Sequence, residues 1–160
     1  EIAPVVEEPN PAVEPETGFR AEPGPQDADE SPPKQGPSPS SLERARALID
    51  AGDKLYAAGR INLAKQYYKD ALAVNTNAHA AAIGLGRIEF NNAAYADAAR
   101  YFQRAVKAAP KNGKYRVLYG DALFKLDKYV DAKAQYAKAK TLGSPQADGR
   151  LKKVEGKLGG

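Results

Sequence analysis

Three glycines, Gly52, Gly86 and Gly120, stand 34 residues apart, and four further sets of residues keep the same interval. Ala64, Ala98 and Ala132 form one set, and Tyr68, Phe102 and Tyr136 another. Ala71, Ala105 and Ala139 form a third, and Ile61, Tyr95 and Tyr129 a fourth. A recurrence of this length argues against folds built around one irregular core. Each unit must be one supersecondary piece that buries its apolar face by stacking on the next. The residue types also say how the pieces pack. Gly and Ala remove bulk where two helices come close, and the aromatic side chain fills the gap beside them.

The period inside each unit is helical. From Leu42 onward apolar residues recur at steps of three and four, in segments of about 12–17 residues broken by short turns. This predicts helices over 41–57, 61–74, 78–91, 95–108, 114–125, 129–141 and 146–157, with no strand. Ser40-Ser41-Leu42-Glu43 reads as a capping box, in which Ser40 accepts from the Glu43 amide while Glu43 reaches back. Ser144-Pro145 reads as an N-cap followed by proline at the first helical position.

Laid out this way, the pattern resembles the tetratricopeptide repeat, a 34-residue helix–turn–helix unit. Counting units from Ala45, His79 and Gly113, the family's small eighth position is Gly52, Gly86 and Gly120. Its twentieth is Ala64, Ala98 and Ala132, its aromatic twenty-fourth Tyr68, Phe102 and Tyr136, and its twenty-seventh Ala71, Ala105 and Ala139. The closing proline occurs once, as Pro110; Thr76 and Ser144 stand in the other units. The usual tryptophan at position four is replaced by Leu48, Ala82 and Arg116, and Glu89 stands where a large apolar residue is usual. The resemblance implies an all-α, right-handed α-solenoid of three helix–turn–helix repeats, over about 45–78, 79–112 and 113–146. Residues 146–158 would form a capping helix, with Leu151, Val154 and Leu158 as its apolar stripe.

The resemblance further implies that the first helix of each unit turns one face to the hollow of the superhelix. Its hollow-facing positions are Arg46, Ile49, Asp53 and Tyr56, then Ala80, Ile83, Arg87 and Phe90, then Lys114, Val117, Asp121 and Phe124. They make an aliphatic row Ile49–Ile83–Val117, an aromatic row Tyr56–Phe90–Phe124 and a charged row Asp53–Arg87–Asp121. Such rows suit a peptide or helix laid in a groove. The competing reading has the same aromatics packed on neighbouring helices. Chaperone-binding members of the family grip a terminal carboxylate with Lys, Asn and Arg at fixed groove positions. The matching residues here are Ile49, Asp53, Gly84, Lys114 and Leu118, and only Lys114 agrees, so a chaperone-tail clamp is not expected.

Charge divides the chain. Residues 1–40 carry ten of the 12 prolines and a net charge of −7, and residues 41–160 carry +11. Proline fixes φ and removes donors, and like charges repel, so residues 1–40 are expected to be a disordered, acidic spacer ahead of a repeat domain over 41–160. Transient contact of that acidic segment with the basic domain is a further expectation. The cations Lys65, Lys69, Arg100, Arg104, Lys107, Lys133 and Lys138 fall on the second helices, on the outer face. We read them as a solvated surface, with an anionic partner (nucleic acid or membrane) as the alternative. Nucleic acid is disfavoured because aromatics do not interleave with these side chains.

With no cysteine and one histidine, His79, thiolate metal sites, disulfides and His-pair metal motifs are excluded. No phosphate-binding loop, G-x-S-x-G or calcium loop occurs, and no apolar run reaches the ~18 residues of a membrane span. We expect no enzyme activity, no cofactor and no metal. The chain opens at Glu1 and holds no methionine, so it reads as a fragment or a processed product. The expected function is that of a monomeric protein-interaction module of a larger protein, with a protein or peptide partner in the groove. The alternative is a structural or self-association module. A proline-rich tether suits a parent anchored at a membrane. Alanine-rich, cysteine-free helices lean toward a bacterial source, cytoplasmic or periplasmic.

Overall fold

The computed structural model describes residues 39–159. The spacer reading of residues 1–38, and their contact with the basic domain, lie outside the described residues. Seven helices follow in order: α1 (Ser41–Ala57), α2 (Ile61–Val74), α3 (His79–Asn91), α4 (Tyr95–Ala108), α5 (Gly113–Lys125), α6 (Tyr129–Thr141) and α7 (Ala147–Leu158). Each packs mainly on its neighbours in sequence, with further contact between α1 and α3 and between α5 and α7. The result is a solenoid of three helix pairs closed by α7.

The repeated small residues set how closely the pairs approach. Ala64, Ala98, Ala132, Ala71, Ala105 and Ala139 are wholly buried. A Cβ added to Gly52 would lie 2.8 Å from the Tyr68 ring, at Gly86 2.4 Å from Phe102, and at Gly120 2.5 Å from Tyr136. Each aromatic of a second helix therefore lies directly against the backbone of the first. Gly84 does the same between units: its missing Cβ would meet Tyr68 at 2.6 Å, so this ring is held between α1 and α3. Burying one such ring contributes about 1.5–3 kcal/mol, and here it can be buried only where no Cβ intervenes.

The turns repeat as well. Gly59, Ala93 and Asp127 are 34 residues apart, and all have positive φ, at 74°, 60° and 57°. The next amide in each turn reaches back to close the helix. Arg60 N–H donates to Leu55 O at 2.8 Å, Ala94 to Glu89 O at 2.9 Å and Lys128 to Leu123 O at 3.0 Å. This is a Schellman closure with its left-handed residue. It was not visible in sequence because two of the three residues are not glycine.

The capping box forms as expected: Glu43 N–H donates to Ser40 Oγ at 3.3 Å, and Ser40 N–H donates to Glu43 Oε2 at 2.7 Å. Ser144 is a correction. It does not cap α7, which starts at Ala147 after Gln146. Gly143, at φ 74°, makes another Schellman turn, and Ser144 supplies its closing amide to Ala139 O at 3.0 Å. The serine thus ends α6 and is buried there, its backbone already committed.

Glu89, at a position where a large apolar side chain is usual, is buried and pairs with Lys65 Nζ at 2.6 Å across the α2–α3 junction. The ion pair fastens the first unit to the second where apolar packing would otherwise do so. Bonding to Glu89 holds the Lys65 ammonium above its ordinary pKa, against a smaller opposing effect of burial.

Candidate functional site

Side chains of α1, α3 and α5 line a run of connected hollows on the inner face. The central one, about 240 Å³, is walled by Asp53, Tyr56, Tyr68, Ala80, Ile83, Gly84, Arg87 and Tyr115. The next, about 200 Å³, shares Tyr56 and Arg87 and adds Phe90, Asn91, Phe102, Leu118 and Asp121. Toward α1, Arg46, Ile49 and Asp53 line a further depression. Toward α7, Phe90, Asp121 and Phe124 line another with Arg150 and Lys153.

Ten of the twelve hollow-facing residues named from sequence line these hollows: Arg46, Ile49, Asp53, Tyr56, Ala80, Ile83, Arg87, Phe90, Asp121 and Phe124. Two do not. Val117 is 1% exposed and belongs to the core that α5 and α6 share with α7. Lys114 lines a separate cleft between the α4–α5 and α6–α7 turns, beside Pro110 and Ser144. Their places are taken by Tyr115, which the sequence reading missed, and by Leu118, which it placed in the groove only as a clamp position that departs from the pattern. The cue was steric. The matching α3 positions are Ala81 and Gly84, with no room for more, whereas α5 presents bulk at both. Ile83 forms a wall yet is 6% exposed, so it shapes the groove more than it offers contact.

The aromatic row serves two purposes. Phe90 packs edge-on to Tyr95 and Phe124 to Tyr129, each with ring centroids 5.2 Å apart, as the competing reading held. Their remaining surface faces the hollows. Two polar ties span the units: Asn91 Nδ2 donates to Tyr56 Oη at 3.0 Å, and His79 Nδ1 lies 3.0 Å from Tyr115 Oη.

The charged row is not uniform. Tyr68 Oη donates to Asp53 Oδ1 at 2.6 Å, and Tyr136 Oη to Asp121 Oδ1 at 2.8 Å. Burial and the adjacent carboxylate push both phenols well above their ordinary pKa, burial being the larger cause. Asp121 also takes Arg150 from α7, Nε at 2.8 Å and Nη2 at 3.3 Å. In the middle unit the pair is Phe102 and Arg87. The ring has no hydroxyl to offer, and Arg87 has no hydrogen-bonding or ion-pair partner among the described residues.

The outer basic face is partly spent. Lys65 pairs with Glu89, Arg100 with Asp97 and Lys133 with Glu155, and Arg104 donates to Thr76 O at 2.9 Å. Among the described residues no group of three carboxylate or histidine side chains could hold a metal ion, and no helix is long and apolar enough to cross a membrane.

A family model described as "Tetratricopeptide repeat" matches residues 49–113 and 89–147. The chain belongs to the tetratricopeptide repeat family. Among solved structures it is similar to the first tetratricopeptide domain of Spaghetti (RPAP3), at 21% identity and TM-score 0.70, covering 74% of this chain and 96% of that one. The Sgt2 tetratricopeptide domain of Aspergillus fumigatus gives 20% and 0.67, covering 76% and 85%. The second such domain of human RPAP3 gives 20% and 0.66, covering 72% and 98%. At these identities the likeness is one of fold. No curated protein matches significantly by sequence. The bacterial source toward which composition leaned gains no support from these fungal and human structures.

Proposed function

We propose that this repeat domain is a protein-interaction module that takes a peptide or helix of a partner along its inner face, and performs no catalysis. One observation carries the reading. Two hollows of about 240 and 200 Å³ adjoin through Tyr56 and Arg87, and all three units wall them. A peptide needs such a series of anchors set on a rigid frame. Two structures of this shape are described as bound to, or in complex with, the HSP90 peptide SRMEEVD and the HSP70 peptide SGPTIEEVD, which supports peptide binding by the architecture. The terminal-carboxylate clamp is a different matter. Ile49, Asp53, Gly84 and Leu118 depart from its residues, and Lys114 lies in the turn cleft.

The test is site-specific photocrosslinking. A photoreactive residue replacing Tyr56 should capture a partner polypeptide, and Arg87→Glu should reduce the yield. Capture from Lys107 on the outer face alone, unchanged by Arg87→Glu, contradicts the proposal.

A further inference from the structure

We propose that Arg87 is the specificity anchor of this groove, and that the ligand is a peptide presenting one Asp or Glu carboxylate to its guanidinium, beside a bulky apolar side chain seated between Phe90 and Leu118. The inference rests on the groove reading above and names the partner's chemistry.

Comparison of the three units singles Arg87 out. At the same position units one and three carry Asp53 and Asp121, and each is bonded to the tyrosine of its own second helix. Asp121 is further neutralised by Arg150. These carboxylates are internal fittings of the repeat, leaving little for a ligand. The middle unit changes both partners at once, Asp to Arg and Tyr to Phe. Arg87 is exposed on the groove surface and forms part of both central hollows. Aromatic rings stand in its walls, Tyr56, Tyr68 and Tyr115 in one hollow and Phe90 and Phe102 in the other. A planar fork of five donors matches a planar carboxylate.

The surrounding charge selects a single negative charge. Asp53 lies in one hollow with Arg87 and has only a neutral hydroxyl as partner; Asp121 lies in the other. A monoanion pairs with Arg87 while one carboxylate, Asp53, shares the hollow; the second charge of a phosphate would add only repulsion from Asp53. The outer cations offer no equivalent: Lys69, Lys107 and Lys138 stand on exposed helix surface and line none of the hollows described above.

The experiment is selection of a random dodecapeptide display library on the intact chain, in parallel on wild type, Arg87→Gln, Arg87→Glu, Leu118→Ala and Lys107→Glu. Circular dichroism checks each fold; Arg87 makes no bond among the described residues, so its variants should fold normally. The wild-type pool should be enriched in an acidic residue next to a large apolar one. Arg87→Gln should erase the acidic preference, and Arg87→Glu should turn it toward Lys or Arg. For a selected peptide, replacing the anchoring Asp by Asn should weaken binding roughly ten- to a hundredfold, and phosphoserine there should bind less tightly than Asp. Peptides without acidic enrichment that still need Leu118 overturn the anchor and leave the groove reading standing. Peptides indifferent to Leu118→Ala but lost with Lys107→Glu, or no enrichment at all, overturn both. Phosphoserine binding more tightly than Asp overturns the carboxylate assignment.

Discussion

Replacing Gly86 by alanine tests the packing logic of the repeat, because the same change made elsewhere should act with the opposite sign. The new Cβ would stand 2.4 Å from Phe102 Cε1 and 2.6 Å from its Cδ1. Nonbonded carbons rest at about 3.5–4.0 Å, so the ring must retreat by about an ångström. Phe102 is 1% exposed and belongs to the core shared by the first two units, so its retreat disturbs packed neighbours or intrudes on the hollow it walls. Such overpacking costs about 1–3 kcal/mol. A contact as short as 2.4 Å belongs in the upper half of that range, about 2–3 kcal/mol; alanine's helix propensity returns ~0.8–1.0 kcal/mol relative to glycine, leaving a net loss of about 1–2 kcal/mol. At Gly149, in α7, nothing lies within 4 Å of the added Cβ. There only the propensity remains, a gain of about 0.5–1 kcal/mol. Urea unfolding followed by circular dichroism reads both. With m of roughly 1–3 kcal/mol per molar, Gly86→Ala should lower the midpoint by about 0.3–2 M and Gly149→Ala should raise it slightly. A Gly86→Ala protein as stable as wild type would refute the claim that glycine is there for ring contact.

Further outcomes follow from other parts of the structure. Ala93 holds φ 60° in a turn where the first unit uses glycine; Ala93→Gly should relieve about 1–2 kcal/mol of left-handed strain, offset in part by unfolded-state entropy, and raise the melting temperature by a few degrees. Glu89→Gln should destabilise by about 1–2 kcal/mol at pH 7, at the lower end for a buried pair because Lys65 keeps a third of its surface in water. The Lys65 pKa is raised in the folded chain, so this advantage is full below pH 10.5 and fades as pH climbs through the higher folded value; the gap between variant and wild type should close in alkali. Tyr68 and Tyr136 have raised pKa values, so the folded chain keeps protons that the unfolded chain releases above pH 10. Stability should therefore fall above that pH, and in an absorbance titration at alkaline pH two of the nine tyrosines should ionise only with unfolding.

Much of the fold was legible in the sequence because the constraint is steric and periodic. Gly or Ala facing an aromatic at fixed spacing leaves few ways to pack, and the turn residues and the Ser40–Glu43 box marked most helix ends within a residue. What escaped depended on neighbours that no single unit reveals. Val117 resembles Ile49 and Ile83 in sequence, yet α7 lies where a further unit would, and the core it forms with α5 and α6 takes Val117 in. Ser144 looked like the start of a helix because the Schellman turn that uses its amide is set by Gly143. Ala93 and Asp127 gave no sign of positive φ, since neither residue type requires it. The charged row was visible, but its division into bonded aspartates and an unbonded arginine depends on pairing each position with the aromatic fifteen residues later.

The most direct measurement is backbone NMR of the labelled chain titrated with a selected peptide. The account predicts shift changes gathered on α1, α3 and α5, around Tyr56, Arg87, Tyr115 and Leu118, with α2, α4 and α6 nearly still. Changes centred on Lys69, Lys107 and Lys138, with Arg87 unmoved, would contradict it and move binding to the outer face.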